Sequence, residues 1–186
     1  GQERGIPELV EAIIQDYKDK YGVVLKAENI SVTGWSKQGP LHNLPRLYSG
    51  YGVVPDPVYP AYESATILSN NGLRRVPSSE DTGWLPNFDF NQRDAFFFYC
   101  DPNNPTGTTV TDLSHYERLL DQARRHDVVG IFDKPYKDCV FDTETKPISI
   151  TQVPGLMDYG FEVVSFSKHH NFVGIGLGYI VSSEDN

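Results

Sequence analysis

A chain of 186 residues with 39% hydrophobic and 12% aromatic side chains has enough apolar surface for one substantial core, which excludes a disordered class. Its net charge of −9 has the wrong sign for a nucleic-acid or anionic-membrane surface. No apolar run reaches the roughly 18 residues a membrane helix needs, and GQERGIPELV lacks the basic and apolar regions of a signal peptide, so a cytoplasmic chain is expected.

Residues 7–21, PELVEAIIQDYKDKY, predict a helix: a proline opens it, apolar residues recur every third or fourth position, and Gly22 stops it. Its Asp16, Lys18, Asp19 and Lys20 read as a solvated face. A strand is predicted at 30–34 (ISVTG), and SKQGPLHNLPRLYSG then opens as a helix. Pro45 falls where its interior should be, at a cost of about 3 kcal/mol if it stayed helical, so this helix reads as short or broken. Strands follow at 52–56 (GVVPD), 73–77 (LRRVP) and 95–100 (AFFFYC). TDLSHYERLLDQARRHD, 111–127, is the clearest helix after the first, with Leu113, Tyr116, Leu120 and Ala123 on one face. Strands at 128–133 (VVGIFD), 162–167 (EVVSFS) and 176–182 (GLGYIVS) complete the chain. Cys100 and Cys139, both in strand-like apolar stretches, read as reduced core residues.

The strand at 95–100 and the residues at 128–132 are apolar at consecutive positions, as strands covered on both faces are. That points to an α/β domain with a parallel sheet, in which ligands sit beyond the carboxyl ends of the strands. Polar and aromatic residues gather there. Gly34-Trp35-Ser36-Lys37-Gln38 follows the first strand, and Asp56-Pro57-Val58-Tyr59-Pro60-Ala61-Tyr62 the second. Asp101-Pro102-Asn103-Asn104-Pro105-Thr106-Gly107 follows the fourth, Asp133-Lys134-Pro135-Tyr136 ends the fifth, and Ser165-Phe166-Ser167-Lys168 ends the sixth. One pocket could then combine an anion subsite, an aromatic plate, an amide, a carboxylate with a phenol, and a lysine. A pyridoxal phosphate site needs that set: an amine for the aldehyde, a carboxylate for the ring nitrogen, donors for the ring oxygen, and hydroxyls for the phosphate.

PNNPTG, DKPY at a strand end, and SFSK followed by NFVGIGLGY resemble the class I/II aminotransferases of pyridoxal-phosphate fold type I. NISVTGWSKQ, VPDPVYPAY and GWLPNFDF are most similar to the LL-diaminopimelate aminotransferase branch, and the resemblance runs from about Gly5 to Ser183. It implies a three-layer α/β/α fold with a mostly parallel seven-stranded sheet, residues 1–186 forming a single cofactor-binding large domain. The family's N-terminal segment and C-terminal small domain would then be absent. It implies that Lys168 forms the Schiff base and shuttles the α-proton, that Asp133 faces the pyridine nitrogen, and that Tyr136 and Asn104 bond the ring oxygen. Tyr59 would stack on the cofactor, and Ser36, Lys37, Ser165 and Ser167 would take the phosphate. The implied activity is transfer of an amino group between an amino acid and a 2-keto acid, by a homodimer.

One departure stands inside the last motif. The family pattern has a phosphate-pairing arginine eight residues after the lysine, where this chain has Gly176. Loss of such a charge-assisted contact weakens cofactor binding by about 1.5–3 kcal/mol, and Gly176→Arg is expected to tighten it if the position faces the phosphate. With the short chain, this keeps open a non-catalytic relative used for binding or assembly, or a fragment of a longer enzyme. Gly174, Gly176 and Gly178 lead into a strand, which excludes a dinucleotide loop. His169 and His170 have no acidic or histidine partner at metal-ligand spacing, and Tyr62 reads as a packing residue.

Overall fold

The computed structural model describes residues 4–35, 37–142, 144–146, 148–168 and 170–184, without the side chains of Lys37 and Gln38. Helix α1, Pro7–Tyr21, begins at its proline and ends where Gly22 turns left-handed (φ 70°), its N–H donating to the Lys18 carbonyl at 3.0 Å. Val10, Ile13, Tyr17 and Tyr21 form its buried stripe.

Seven strands follow at the expected places: β1 (Ile30–Gly34), β2 (Tyr51–Asp56), β3 (Gly72–Pro77), β4 (Asp94–Cys100), β5 (Val129–Asp133), β6 (Gly160–Ser165) and β7 (Leu177–Val181). They form one sheet in the order β1-β7-β6-β5-β4-β2-β3. β7 runs antiparallel to β1 and β6, and the other pairings are parallel. The consecutive apolar residues of β4 are used on both faces. Phe97 and Tyr99 pack toward helix α3 (Leu113–His126), while Phe96 and Phe98 pack toward helix α2 (Ala61–Leu68). α1 shares the α3 face, with Tyr17 packed near Val164 and Tyr179. The result is a three-layer α/β/α domain with a mostly parallel sheet.

Three details differ from the sequence reading. The strand expected at 162–167 ends at Ser165, so Ser167 and Lys168 lie in the turn beyond it. Helix α2 carries no strong local signal, because eight residues give only two turns of periodicity. Cys139 is partly buried in the irregular segment after β5 rather than in a strand; both it and the buried Cys100 are free thiols. The segment after β1 is broken as Pro45 requires: a π-helical turn at Lys37–Leu41, then a 3₁₀ helix at Leu44–Leu47 with Pro45 in its first turn. Its Leu41 and Leu44 join the α2-side core.

Ion pairs, one of them fully buried, bolt this frame together. Lys134 Nζ lies 2.8 Å from Asp101 Oδ2 and donates to the Ile148 carbonyl at 2.6 Å. Lys20 is exposed and Asp16 half-buried, and together they also anchor the turn after β5. Lys137 Nζ reaches Asp16 Oδ2 at 2.5 Å, and Lys20 pairs with both Asp16 and Asp138. Among the described residues no helix is long and apolar enough to cross a membrane.

Candidate active site

The carboxyl ends of β2, β4, β5 and β6 surround a cavity of about 210 Å³. Lys168, Asp133, Tyr136, Asn104, Tyr59, Ser165 and Ser167 all line it, although 109 residues separate Tyr59 from Lys168 in the chain (168 − 59). Ser36 and the side chain of Lys37 lie outside the described residues.

Asp133 closes β5, and the backbone around it is clamped by two neighbouring strands. Asp101 N–H donates to the Asp133 carbonyl at 3.1 Å, and Lys134 N–H donates to the Val163 carbonyl at 2.8 Å. Its side chain is 3% exposed. The Tyr62 hydroxyl donates to Oδ2 at 2.6 Å, while Oδ1 has no hydrogen-bond partner among the described residues. Burial pushes this carboxyl up to about 7, with the Tyr62 hydrogen bond pulling the other way. An unpaired buried carboxylate oxygen is costly in a resting fold and is an acceptor prepared for a donor.

Tyr136 and Asn104 come from different loops and meet. The Asn104 amide donates to the Tyr136 hydroxyl at 3.3 Å. The Asn104 loop is held by Asn103 N–H on the Thr108 carbonyl (2.7 Å) and Gly107 N–H on the Asn103 carbonyl (2.8 Å). The turn carrying Tyr136 is closed by Cys139 N–H on the Tyr136 carbonyl at 2.8 Å. Burial raises the Tyr136 phenol above its ordinary range, and the Asn104 contact opposes that rise. Half-buried Tyr59 presents its ring edge-on to Tyr62, centroids 5.7 Å apart at 81°.

Ser165 is buried at the end of β6, and its hydroxyl accepts the Ser167 N–H at 3.2 Å. Lys168 follows on the turn and is exposed, its ammonium 5.8 Å from the centre of the Tyr136 ring, within cation–π range. Lysine and phenol thus share one wall of the cavity.

The Gly176 expectation needs correction. Gly176 has a left-handed backbone (φ 66°), and the Trp35 N–H donates to its carbonyl at 2.7 Å. A Cβ at this position would stand 2.0 Å from Trp35 Cε2, so the indole fills the space a side chain would leave through. We expect Gly176→Arg to cost about 1–2 kcal/mol for the backbone and ~1–3 kcal/mol for overpacking. Thermal melting would show the loss, and a titration should show no tighter cofactor binding; an arginine that is tolerated and strengthens binding would disprove the Trp35 contact.

Sequence reasoning assigned no site role to Tyr62, Trp35 or Cys100, all of which line the cavity. Tyr62 had a usable signal: it lies three residues after Tyr59, just inside the start of α2, and the two rings meet edge-on. Trp35 and Cys100 had none beyond their position past or at a strand end.

Known proteins resemble this chain in sequence and fold. The family described as aminotransferase class I and II matches residues 1–186. LL-diaminopimelate aminotransferase of Maridesulfovibrio salexigens is 33% identical over 189 residues, which cover 96% of this chain and 48% of that protein. Glutamate-pyruvate aminotransferase AlaC of Escherichia coli is also 33% identical, across 97% of this chain and 45% of its own length. The solved structure of substrate-bound BacF from Bacillus subtilis superposes with a TM-score of 0.89 at 31% identity, covering 100% of this chain and 48% of that one. The chain spans about half the length of the curated relatives it matches. The family match runs over every residue: this chain belongs to the class I and II aminotransferase family.

Proposed function

We propose that this chain is the large, cofactor-binding domain of a pyridoxal-phosphate-dependent aminotransferase, which moves an amino group between an amino acid and a 2-keto acid. The observation that carries the reading is the unpaired Oδ1 of buried Asp133 in a cavity that also holds a lysine, an amide-bonded phenol and an aromatic wall. These residues fit a pyridinium ring, whose N–H would give Oδ1 the donor it lacks. When bound, pyridoxal phosphate supplies an aldehyde that condenses with amines and a ring that withdraws electrons from the substrate α-carbon.

The protein's own groups then divide the work. Asp133 holds the ring-nitrogen proton by its negative charge, and its buried setting makes that pairing strong. Tyr136 and Asn104, already bonded to each other, give donors for the ring oxygen. Tyr59 covers a ring face. Lys168 Nζ would be the amine that anchors the cofactor and the base that takes and returns the substrate α-proton. Ser165 and Ser167 take the phosphate, joined by Ser36 and Lys37; Gly176 supplies no cation. The family resemblance supports a cytoplasmic homodimer. The relatives named above act on different amino acids at equal identity, so the substrate class stays at amino acids and their keto acids.

Titration with pyridoxal phosphate tests the reading. A visible absorption band should grow to saturation and vanish in Lys168→Ala. No band in the parent chain at saturating cofactor would overturn the proposal.

A further inference from the structure

Tyr62 opens helix α2 and has no exposed surface. Its ring is stacked on Phe98, centroids 4.6 Å apart at 8°, and stands edge-on to Tyr59. These contacts leave the hydroxyl little freedom. A phenol has one proton to give, and this one goes to Asp133 Oδ2 at 2.6 Å. The hydrogen bond joins residues 71 apart in the chain and commits one oxygen of the carboxylate, leaving the other without a donor.

The remaining titratable groups at this cavity are accounted for. Cys100 reaches it from β4, its thiol donating to the Pro102 carbonyl at 3.2 Å and pushed up to about 12 by burial. Tyr136 comes from the turn after β5 and Lys168 from the turn after β6. Asp101 and Lys134 pair with each other on the α3 side, where Asp101 also accepts from Tyr116. Among the described residues, only Tyr62 donates to the Asp133 side chain.

We infer that Tyr62 is a positioning residue for Asp133: its hydroxyl holds Oδ2 and so presents Oδ1 as the acceptor for a ring N–H. This rests on the proposed function for the identity of the ligand, though not for the Tyr62–Asp133 coupling itself. Tyr59 and Tyr62 then act from one helix start, the first as the wall of the ring subsite and the second as the fixing point of its carboxylate. Without the hydroxyl the buried carboxylate loses its one donor, rotates more freely and takes up a proton more readily. A protonated Asp133 can no longer pair as an anion with a ring cation.

Tyr62→Phe keeps the ring and its stacking while deleting only the hydroxyl. In the ligand-free chain, carbon-13 NMR of the Asp133 carboxyl should show its titration midpoint moving to higher pH. Tyr62→His, which retains a ring donor, should bring the midpoint back toward that of the parent. Pyridoxal phosphate should bind Tyr62→Phe about tenfold more weakly, and that difference should disappear when Asp133→Asn is already present. An unmoved Asp133 midpoint, with only thermal stability lowered, would reduce Tyr62 to packing and overturn the inference. An equal tenfold loss in the Asp133→Asn background would do the same. A parent chain that binds no pyridoxal phosphate would defeat the proposed function, and the ligand-free titration would still decide the role of Tyr62.

Discussion

Asp133→Asn should make the ligand-free chain more stable above pH 7, by about 3–5 kcal/mol, and should flatten its stability across the range below. Asp133 titrates at about 7 in the fold against 3.8 for the free side chain, and each pKa unit is about 1.4 kcal/mol. Below about pH 4 the group is protonated folded and unfolded, and it contributes no penalty. Between about 4 and 7 the folded state binds the extra proton, so stability falls as pH rises, and above 7 the full cost of a buried carboxylate remains. Asparagine has nearly the same shape without the charge. Asp16 and Asp101 do not blur this window. Burial pushes both upward, but their lysine partners outweigh it and hold them below the ordinary carboxylate range, so their contribution is lost only as pH falls through lower values. Urea unfolding at several pH values measures the effect; a parent chain equally stable at pH 4 and pH 8 would contradict it. The same variant should bind pyridoxal phosphate at least about tenfold more weakly, because a neutral amide cannot hold a cationic ring as a carboxylate does. A gain in stability with a loss of binding in one substitution marks a residue kept for function.

Lys134→Met should act in the opposite direction, destabilising the chain by about 3–5 kcal/mol, on the order of 10 °C in melting temperature. Lys134 and Asp101 are each 1% exposed. Asp101 also accepts from the Tyr116 hydroxyl (2.6 Å), the Thr109 hydroxyl (2.7 Å) and the Val110 N–H (3.0 Å), so the carboxylate is well bonded but has one buried cation. Removing that cation leaves its charge uncompensated in the core. Asp101→Asn added to Lys134→Met should recover part of the loss, since removing both charges costs less than stranding one. The pair also matters for the site: Asp101 opens the loop that carries Asn104, and Lys134 opens the turn that carries Tyr136. Loosening it should weaken the Asn104–Tyr136 contact and cofactor binding with it. A loss under about 1 kcal/mol would show the pair to be solvated in solution.

Much of this was legible before any folding because the signals are local. Pro7 and Gly22 bracket α1, and consecutive apolar residues mark β4 and β5 as two-faced strands. Motifs past the strand ends converge because parallel strands point their carboxyl ends to one side of the sheet, which is why seven expected residues line one cavity. Helix α2 was harder, since eight residues hold too few turns to show a period. Lys20 is exposed as a solvated face would have it, but the ion pairs it and Asp16 make were not legible, because their partners Lys137 and Asp138 are more than a hundred residues away.

By itself, then, the sequence determined the two-faced sheet, the places where strands begin and end, and the residue types that gather beyond them. Only the tertiary structure decided what each of those side chains meets. Tyr62 becomes the donor to Asp133 because β2 and β5 flank β4 and bring α2 over it. A side chain at Gly176 would meet Trp35 because β7 lies antiparallel against β1 and lays Trp35 across it. Strand order is chosen by the packing of all the layers at once. A hydrogen bond or a clash between residues 71 or 141 positions apart (133 − 62; 176 − 35) has no local pattern to announce it.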